Sequence, residues 1–202
     1  SGTLSWLFQK YDAKLPFSSL MKDALAQGLT EPDPREDLSG RDVQRKLLIL
    51  ARAAGFSLQL ADIEVQNLVP EALQDLDKES FLSQAARLDD FFATQFAEAQ
   101  AKDLCIRYVA RFSAKQGQLS AKVSLEQLPK NDAFANLSPC DNIFQITSQW
   151  YCDNPLIIRG PGAGRDVTAG GLHSDLVAIC RQLSSRSTPV KIKGLLDEVS
   201  KD

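Results

Sequence analysis

The sequence predicts an α+β fold, a mainly antiparallel sheet with helices packed on one face. Three observations predict it. Through the first half of the chain, apolar residues recur three and four apart, the pattern of one-sided helices. From Leu104 the period drops to two and holds through two runs joined by the turn-forming AKQGQ. Lastly, Gly160-Pro161-Gly162-Ala163-Gly164 stands between the last strand pattern and a final helical one. The composition is ordinary for a globular chain, with 202 residues, 44% hydrophobic and 24% charged. A net charge of -3 without a Lys/Arg cluster argues against a nucleic-acid surface. No apolar run reaches the roughly 20 residues that span a bilayer. Cys105, Cys140, Cys152 and Cys180 are widely spaced, with no C-x-x-C pair, and read as free thiols of a reducing compartment, the cytoplasm. The chain opens at Ser1 inside a helical pattern and without Met, so a piece of something longer is expected.

Taken in order, Leu4, Leu7, Phe8 and Tyr11 give an amphipathic first helix, and Phe17, Leu20, Met21, Ala24 and Leu25 a second, closed by Gly28. Glu31-Pro32-Asp33-Pro34 cannot be helical, because each proline fixes its own φ and pushes the preceding residue towards extended backbone. Ser39 then reads as an N-cap, with Asp42 in place of the usual Glu of a capping box. Val43, Leu47, Leu50 and Ala54 form the core face of the next helix. Leu48, Ile49, Ala51 and Ala53 fill most of its remaining circumference, so burial all round is expected. Leu60 to Pro70 is a connection with one short extended piece, which Pro70 bars from a central strand. Ser80 to Ala101 is helical, with Leu88, Phe92, Phe96 and Ala99 on one stripe and a break near Arg87; Phe91 is expected in the core beside them.

Leu104 to Phe112 and Leu119 to Leu125 make a hairpin, and Ile143 to Trp150 and Leu156 to Arg159 two further strands. One antiparallel sheet, polar on the side of Arg107 and Arg111, is the economical arrangement. The last helix runs from Asp166 to about Leu183, with Leu172, Leu176, Ile179 and Leu183 on one face. Beyond it, residues 186–202 form a polar tail with an amphipathic patch of Val190, Ile192, Leu195, Leu196 and Val199.

Chemistry concentrates in Thr30 to Lys46, TEPDPREDLSGRDVQRK. Asp42 and Lys46 lie four apart, hence on one helix face. Two readings stay open. The pair is either a surface ion pair worth a few tenths of a kcal/mol, or a pair at the mouth of a buried helix, where desolvation readies the lysine to exchange a proton near neutrality. The glycine turn places backbone amides where they could approach an anion. It is no P-loop, because Arg165-Asp166 follows the last glycine, and no complete dinucleotide fingerprint, because no acidic residue follows on a second strand. His173, the only histidine, neighbours Ser174 and Asp175 on a helix, where they cannot face one another as a triad, and it reads as a surface or packing residue. With no other histidine and no paired cysteines, a transition-metal site is not expected.

Three segments together resemble homoserine dehydrogenase. SGTLSWLF is similar to the family's segment between its nucleotide and substrate domains. GLTEPDPREDLSGRDVQRKLLILAR resembles the family's EPDP…DLxGxDxxRK signature, and NPLIIRGPGAGRDVTAGGLHSDL its C-terminal glycine segment. The likeness covers about residues 1–183, and RGPGAGRDVTAG with LSPCDN upstream most resembles the methionine-branch members fused to aspartokinase. It implies interconversion of aspartate 4-semialdehyde and L-homoserine with NADP or NAD. It also implies Lys46 as proton donor, Asp42 holding that lysine and contacting substrate, Glu31 receiving the substrate ammonium, and Asp37 supporting the network. Gly160, Gly162, Ala163 and Gly164 would touch the nicotinamide cofactor.

On this reading residues 1–160 are a substrate-binding and dimerisation domain, and residues 161–185 a glycine loop and a helix returning to a Rossmann domain. The tail is given no role. The family's nucleotide-binding domain, its second catalytic lysine and its cation ligands precede SGT, so this chain is expected to be inactive alone. By analogy with the family it is expected to form a homodimer through the sheet, pairing on the exposed face with Arg107 and Arg111. The competing class is a non-catalytic small-ligand regulatory or oligomerisation module. It gives no reason for Glu31, Asp42 and Lys46 to stand together.

Overall fold

The computed structural model describes residues 1–115, 117–138, 140–162 and 164–186. The predicted tail and Ala163 lie outside these described residues. The chain divides into two compact units, 1–162 and 163 onward. In the first, α1 (Gly2–Lys10) and α2 (Phe17–Ala26) precede a short α3 (Pro34–Leu38) and α4 (Arg41–Ala53). After β1 (Glu64–Val65) come α5 (Glu71–Gln74), α6 (Lys78–Ser83) and α7 (Asp89–Ala101). β2 (Leu104–Lys115) and β3 (Gln118–Pro129) form a long hairpin, and β4 (Asp141–Ile146) and β5 (Leu156–Pro161) a shorter one. The second unit contains α8 (Arg165–Arg186).

The helices end where their sequence says they should. Gly28, at φ +68°, follows α2, and the amides of Gly28 and Leu29 return to the carbonyls of Leu25 and Ala24. This is a Schellman ending, which a left-handed residue makes possible. The expected break near Arg87 is a 3-10 turn at Ala85–Leu88 between α6 and α7. Phe92 and Ala99 are buried and Phe96 is partly buried, but Phe91 is 36% exposed at the edge of the stripe. One core cluster joins α1, α2, α7 and β2 around Phe17 and Phe92, whose rings stack at 3.6 Å between centroids. A second joins Leu47, Leu48 and Ala51 of α4 to Ile63, Ala121 and Val123. Val43 and Tyr108 pack against both clusters, so the start of α4 sits on their junction.

Four expectations are corrected. The strands form two sheets, not one: a three-stranded sheet in the order β1-β3-β2, with β1 parallel to β3, and a separate β4-β5 pair. β1 takes the second edge of β3, and the segment after β3 lies against β2 through the bonds of Arg107 to the Phe134 and Ala135 carbonyls. Arg107 is not on an open sheet face. Its guanidinium donates to the carbonyls of Phe8, Ile106, Phe134 and Ala135 and to Gln9 Oε1, which enclose it. Burial pushes that guanidinium below its ordinary value. Only Arg111 is open there, in a bidentate pair with Glu126. α4 is not buried all round: Ile49 is 65% and Leu50 46% exposed, because a single face meets β2 and β3. Lastly, Ser39 does not cap α4. The cap is Gly40, at φ +74°, while the Ser39 hydroxyl donates back to the Glu36 carbonyl and closes α3.

On α8, Leu172, Leu176, Ile179 and Leu183 are each more than half exposed, and His173 is exposed on the same helix.

Candidate functional site

The acidic loop is extended as far as Asp33, as its prolines require, but Pro34, expected outside any helix, starts α3. Proline at the first helical position loses no hydrogen bond, and Asp33 before it caps α3 by accepting from the Arg35 amide at 3.0 Å. Arg35 then fastens the turn. Its Nη2 donates to Asp33 at 2.6 Å, its Nη1 reaches the carbonyls of Leu73 and Gln74 at the end of α5 and of Leu76 just after it, and its guanidinium lies over the Phe81 ring at 5.2 Å. The guanidinium beside Asp33 holds that carboxyl below the usual carboxylate range. The Leu68 amide donates to the Leu38 carbonyl at 3.0 Å and ties the end of α3 to the loop after β1.

From α3 the chain must turn sharply into α4, and Gly40 makes that turn. Its positive φ suits glycine, and a Cβ there would overlap the Tyr108 hydroxyl and press on Val65. Tyr108, from β2, donates to the Gln66 carbonyl at 2.6 Å, and burial pushes its hydroxyl well above its ordinary value. This floor sets where α4 begins, and therefore where its first two turns point. Lys46 Nζ lies 2.7 Å from Asp42 Oδ2, with the side chains 51% and 49% exposed. The geometry expected from the spacing is present; the desolvation expected from a buried helix is absent in this chain.

Glu31 and Asp37 are brought together as well. The Glu31 amide donates to Asp37 Oδ2 at 2.8 Å, and the Glu31 side chain stays exposed. Burial pushes the Asp37 carboxyl up, against the bond it accepts from the Glu31 amide, while the charges of Glu31 and Asp42 raise it further. Asp37 thus faces both the loop and α4 and joins the two halves of the candidate site. Thr3 of α1 donates to the Leu29 carbonyl at 2.6 Å. Sequence reasoning missed Thr3, Tyr108 and Arg35. The only signal for Thr3 was its place in the SGT segment.

The glycine segment is a separate feature. Gly160 and Gly162 line a groove of about 290 Å³ with Asn142, Phe144, Ile158, Arg159 and Pro161. A Cβ at Gly162 would overlap the Asn142 side chain, whereas one at Gly160 would meet open space. Gly164, at φ +135°, precedes α8. The open backbone at Gly160 fits the edge of a cofactor, but the groove is too small for a whole dinucleotide. No group of three or more His, Cys, Asp or Glu with metal-holding geometry occurs among the described residues, and none of their helices is long and apolar enough to cross a membrane.

The sequence model of the homoserine dehydrogenase family matches residues 1–177. The chain belongs to that family. It is 47% identical over 183 residues to bifunctional aspartokinase/homoserine dehydrogenase 2 of Escherichia coli K12, covering 91% of this chain and 22% of that protein. It is 37% identical over 199 residues to homoserine dehydrogenase of Schizosaccharomyces pombe, covering 94% of this chain and 52% of that protein. The chain therefore spans about a fifth of the bifunctional relatives and half of the monofunctional one. Among solved structures, a Candida auris protein of unknown function superimposes with a TM-score of 0.80 at 36% identity, over 90% of this chain and 51% of that one. Staphylococcus aureus homoserine dehydrogenase at pH 7.0 covers the whole chain and 45% of its own, with a TM-score of 0.70 at 18% identity, a likeness of fold alone. The bifunctional homoserine dehydrogenases include chloroplastic plant proteins, among them one of Zea mays.

Proposed function

We propose that this chain is the substrate-binding and dimerisation part of a homoserine dehydrogenase that interconverts aspartate 4-semialdehyde and L-homoserine, on the route to methionine and threonine. The observation that carries the reading is the Lys46–Asp42 pair at 2.7 Å, on a helix whose start is fixed against Tyr108 and beside the Glu31 loop. Interconversion of an aldehyde and an alcohol requires a proton at the oxygen. Lys46 would give or take that proton. Asp42 would hold the ammonium in place and contact the polar groups of the substrate. Glu31, exposed on a proline-stiffened loop, would take the substrate ammonium, and Asp37 would keep that loop in position through the Glu31 amide. The half-exposed Lys46 awaits a cover to exclude water from the reacting oxygen, which supports the reading that this chain alone does not turn over.

NADP or NAD, when bound, supplies or accepts the hydride. Gly160, Gly162, Ala163 and Gly164 would present backbone to its phosphates or ribose. We place residues 1–160 in the substrate and dimerisation domain and residues 161–185 in a return element towards a nucleotide-binding domain. Homodimer formation through the sheet draws support from Phe144, Ile146, Leu156, Ile157 and Ile158, all exposed on β4 and β5. A reducing compartment, the cytoplasm, suits the free thiols of Cys105, Cys140, Cys152 and Cys180.

The test is homoserine-dependent formation of NAD(P)H by the full-length protein, compared with the 202-residue chain. Turnover by the full-length protein alone supports both parts of the reading. Turnover by the short chain overturns its inactivity, and homoserine binding without turnover in the full-length protein overturns the enzyme.

A further inference from the structure

α3, the first residue of α4, the loop after β1 and the end of α5 line a cleft of about 170 Å³. At ~30 Å³ for each water it has room for about five or six, so it suits a molecule of about six to eight non-hydrogen atoms and not a nucleotide or a peptide. Part of its wall is already committed. Arg35 is held by Asp33 and by three carbonyls, and the Ser39 hydroxyl donates to the Glu36 carbonyl. Four groups are not. Among the described residues the Glu36 carboxylate and the Arg41 guanidinium make no hydrogen bond or ion pair, although both line this one cleft. Asn67 uses its Oδ1 on the Val69 amide and Gln74 its Nε2 on the Val69 carbonyl, which leaves Asn67 Nδ2 as a donor and Gln74 Oε1 as an acceptor.

A simple anion in this cleft would meet Arg41 but also the carboxylates of Glu36 and Asp33. A simple cation would meet Glu36 but also the guanidinium of Arg41. A molecule that carries both charges a few bonds apart satisfies both. We propose that the cleft binds a small zwitterion, an α-amino acid, with its carboxylate on Arg41 and Asn67 Nδ2 and its ammonium on Glu36 and Gln74 Oε1. Glu31, Asp37, Asp42 and Lys46 do not line the cleft. Glu36 and Asp37 are adjacent on α3, and Arg41 and Asp42 on α4, so each turns away from its neighbour. The inference therefore does not depend on the dehydrogenase reading.

The experiment is calorimetric titration of the 202-residue chain with L-alanine, and with propionate and ethylammonium as probes that keep one charge each. L-Alanine is expected to bind with a Kd of roughly 0.1–5 mM, a range open to so few atoms. Each single-charge probe should bind at least about tenfold more weakly. Glu36→Gln and Arg41→Gln should each weaken L-alanine by about 5–30-fold, the loss of one charge-assisted bond at an open site. Glu31→Gln and Lys46→Ala should leave it unchanged. The side-chain amide NMR signals of Asn67 and Gln74 should move as L-alanine is added, which locates the ligand without any variant. No saturable heat up to about 50 mM overturns the inference, and so do amide signals that stay in place. Propionate binding as tightly as L-alanine removes the role of Glu36 and overturns it too. Binding lost in Glu31→Gln or Lys46→Ala but kept in Glu36→Gln and Arg41→Gln moves the ligand to the candidate site and overturns it likewise.

Discussion

At the scale of single residues, Arg35 shows how a charged side chain can hold a loop. Its side chain is 17% exposed and that of Asp33 29%, so their pairing is only partly screened by solvent. Asp33 is held below the ordinary carboxylate range chiefly by this bond. A carboxyl depressed in the folded state contributes stability above its unfolded value, and that contribution is lost as pH falls through the folded value. Arg35→Ala should therefore cost about 1–3 kcal/mol at pH 7, since it also frees three carbonyls, and less at pH 3. Urea unfolding at the two pH values checks it, and an equal loss at both would contradict the electrostatic share. The i,i+4 relation of Asp42 and Lys46 was legible in the sequence, because local spacing fixes it. The partnership of Thr3 with Leu29, 26 residues away, and of Tyr108 with Gln66, 42 away, was not, because only the tertiary fold brings them together.

At the scale of elements, α4 decides whether the site exists. Its position depends on one glycine with no room for a Cβ. Gly40→Ala adds left-handed strain of about 1–2 kcal/mol to an overlap costing about 1–3 kcal/mol, so a loss of roughly 2–5 kcal/mol is expected. Tyr108→Phe in the same chain removes the overlapping hydroxyl, and the double variant should lose less than the sum of the two singles. Chemical denaturation measures both, and strict additivity would show that Gly40 and Tyr108 are not in contact. The extent of α4 was legible from its periodicity. Its cap was not: Ser39 and Asp42 carry the spacing of a capping box, but the left-handed turn needed to clear Tyr108 overrides it. Its exposure was not legible either, since periodicity names the apolar residues and not which of them meet the sheet. Ile49 and Leu50 are apolar and open.

At the scale of the molecule, the order of the longer helices and strands was legible, because period and turn chemistry are local, whereas the short α3 and α5 were not. The division into two sheets was not, because alternation assigns faces and says nothing about edges. The core of residues 1–162 closes on itself around Phe17, Phe92 and Val123. Residues 1–162 produced alone should thus unfold cooperatively at the same urea midpoint as the whole chain, and a lower midpoint or a non-cooperative transition would contradict that independence. The central claim is that Lys46 moves the proton in homoserine oxidation, and the measurement that tests it most directly is kcat/KM of the full-length protein with Lys46→Ala. The account predicts a fall of roughly 10²–10⁴-fold with the fold intact by circular dichroism. A folded Lys46→Ala variant that keeps its wild-type rate would contradict it and give the proton to another group.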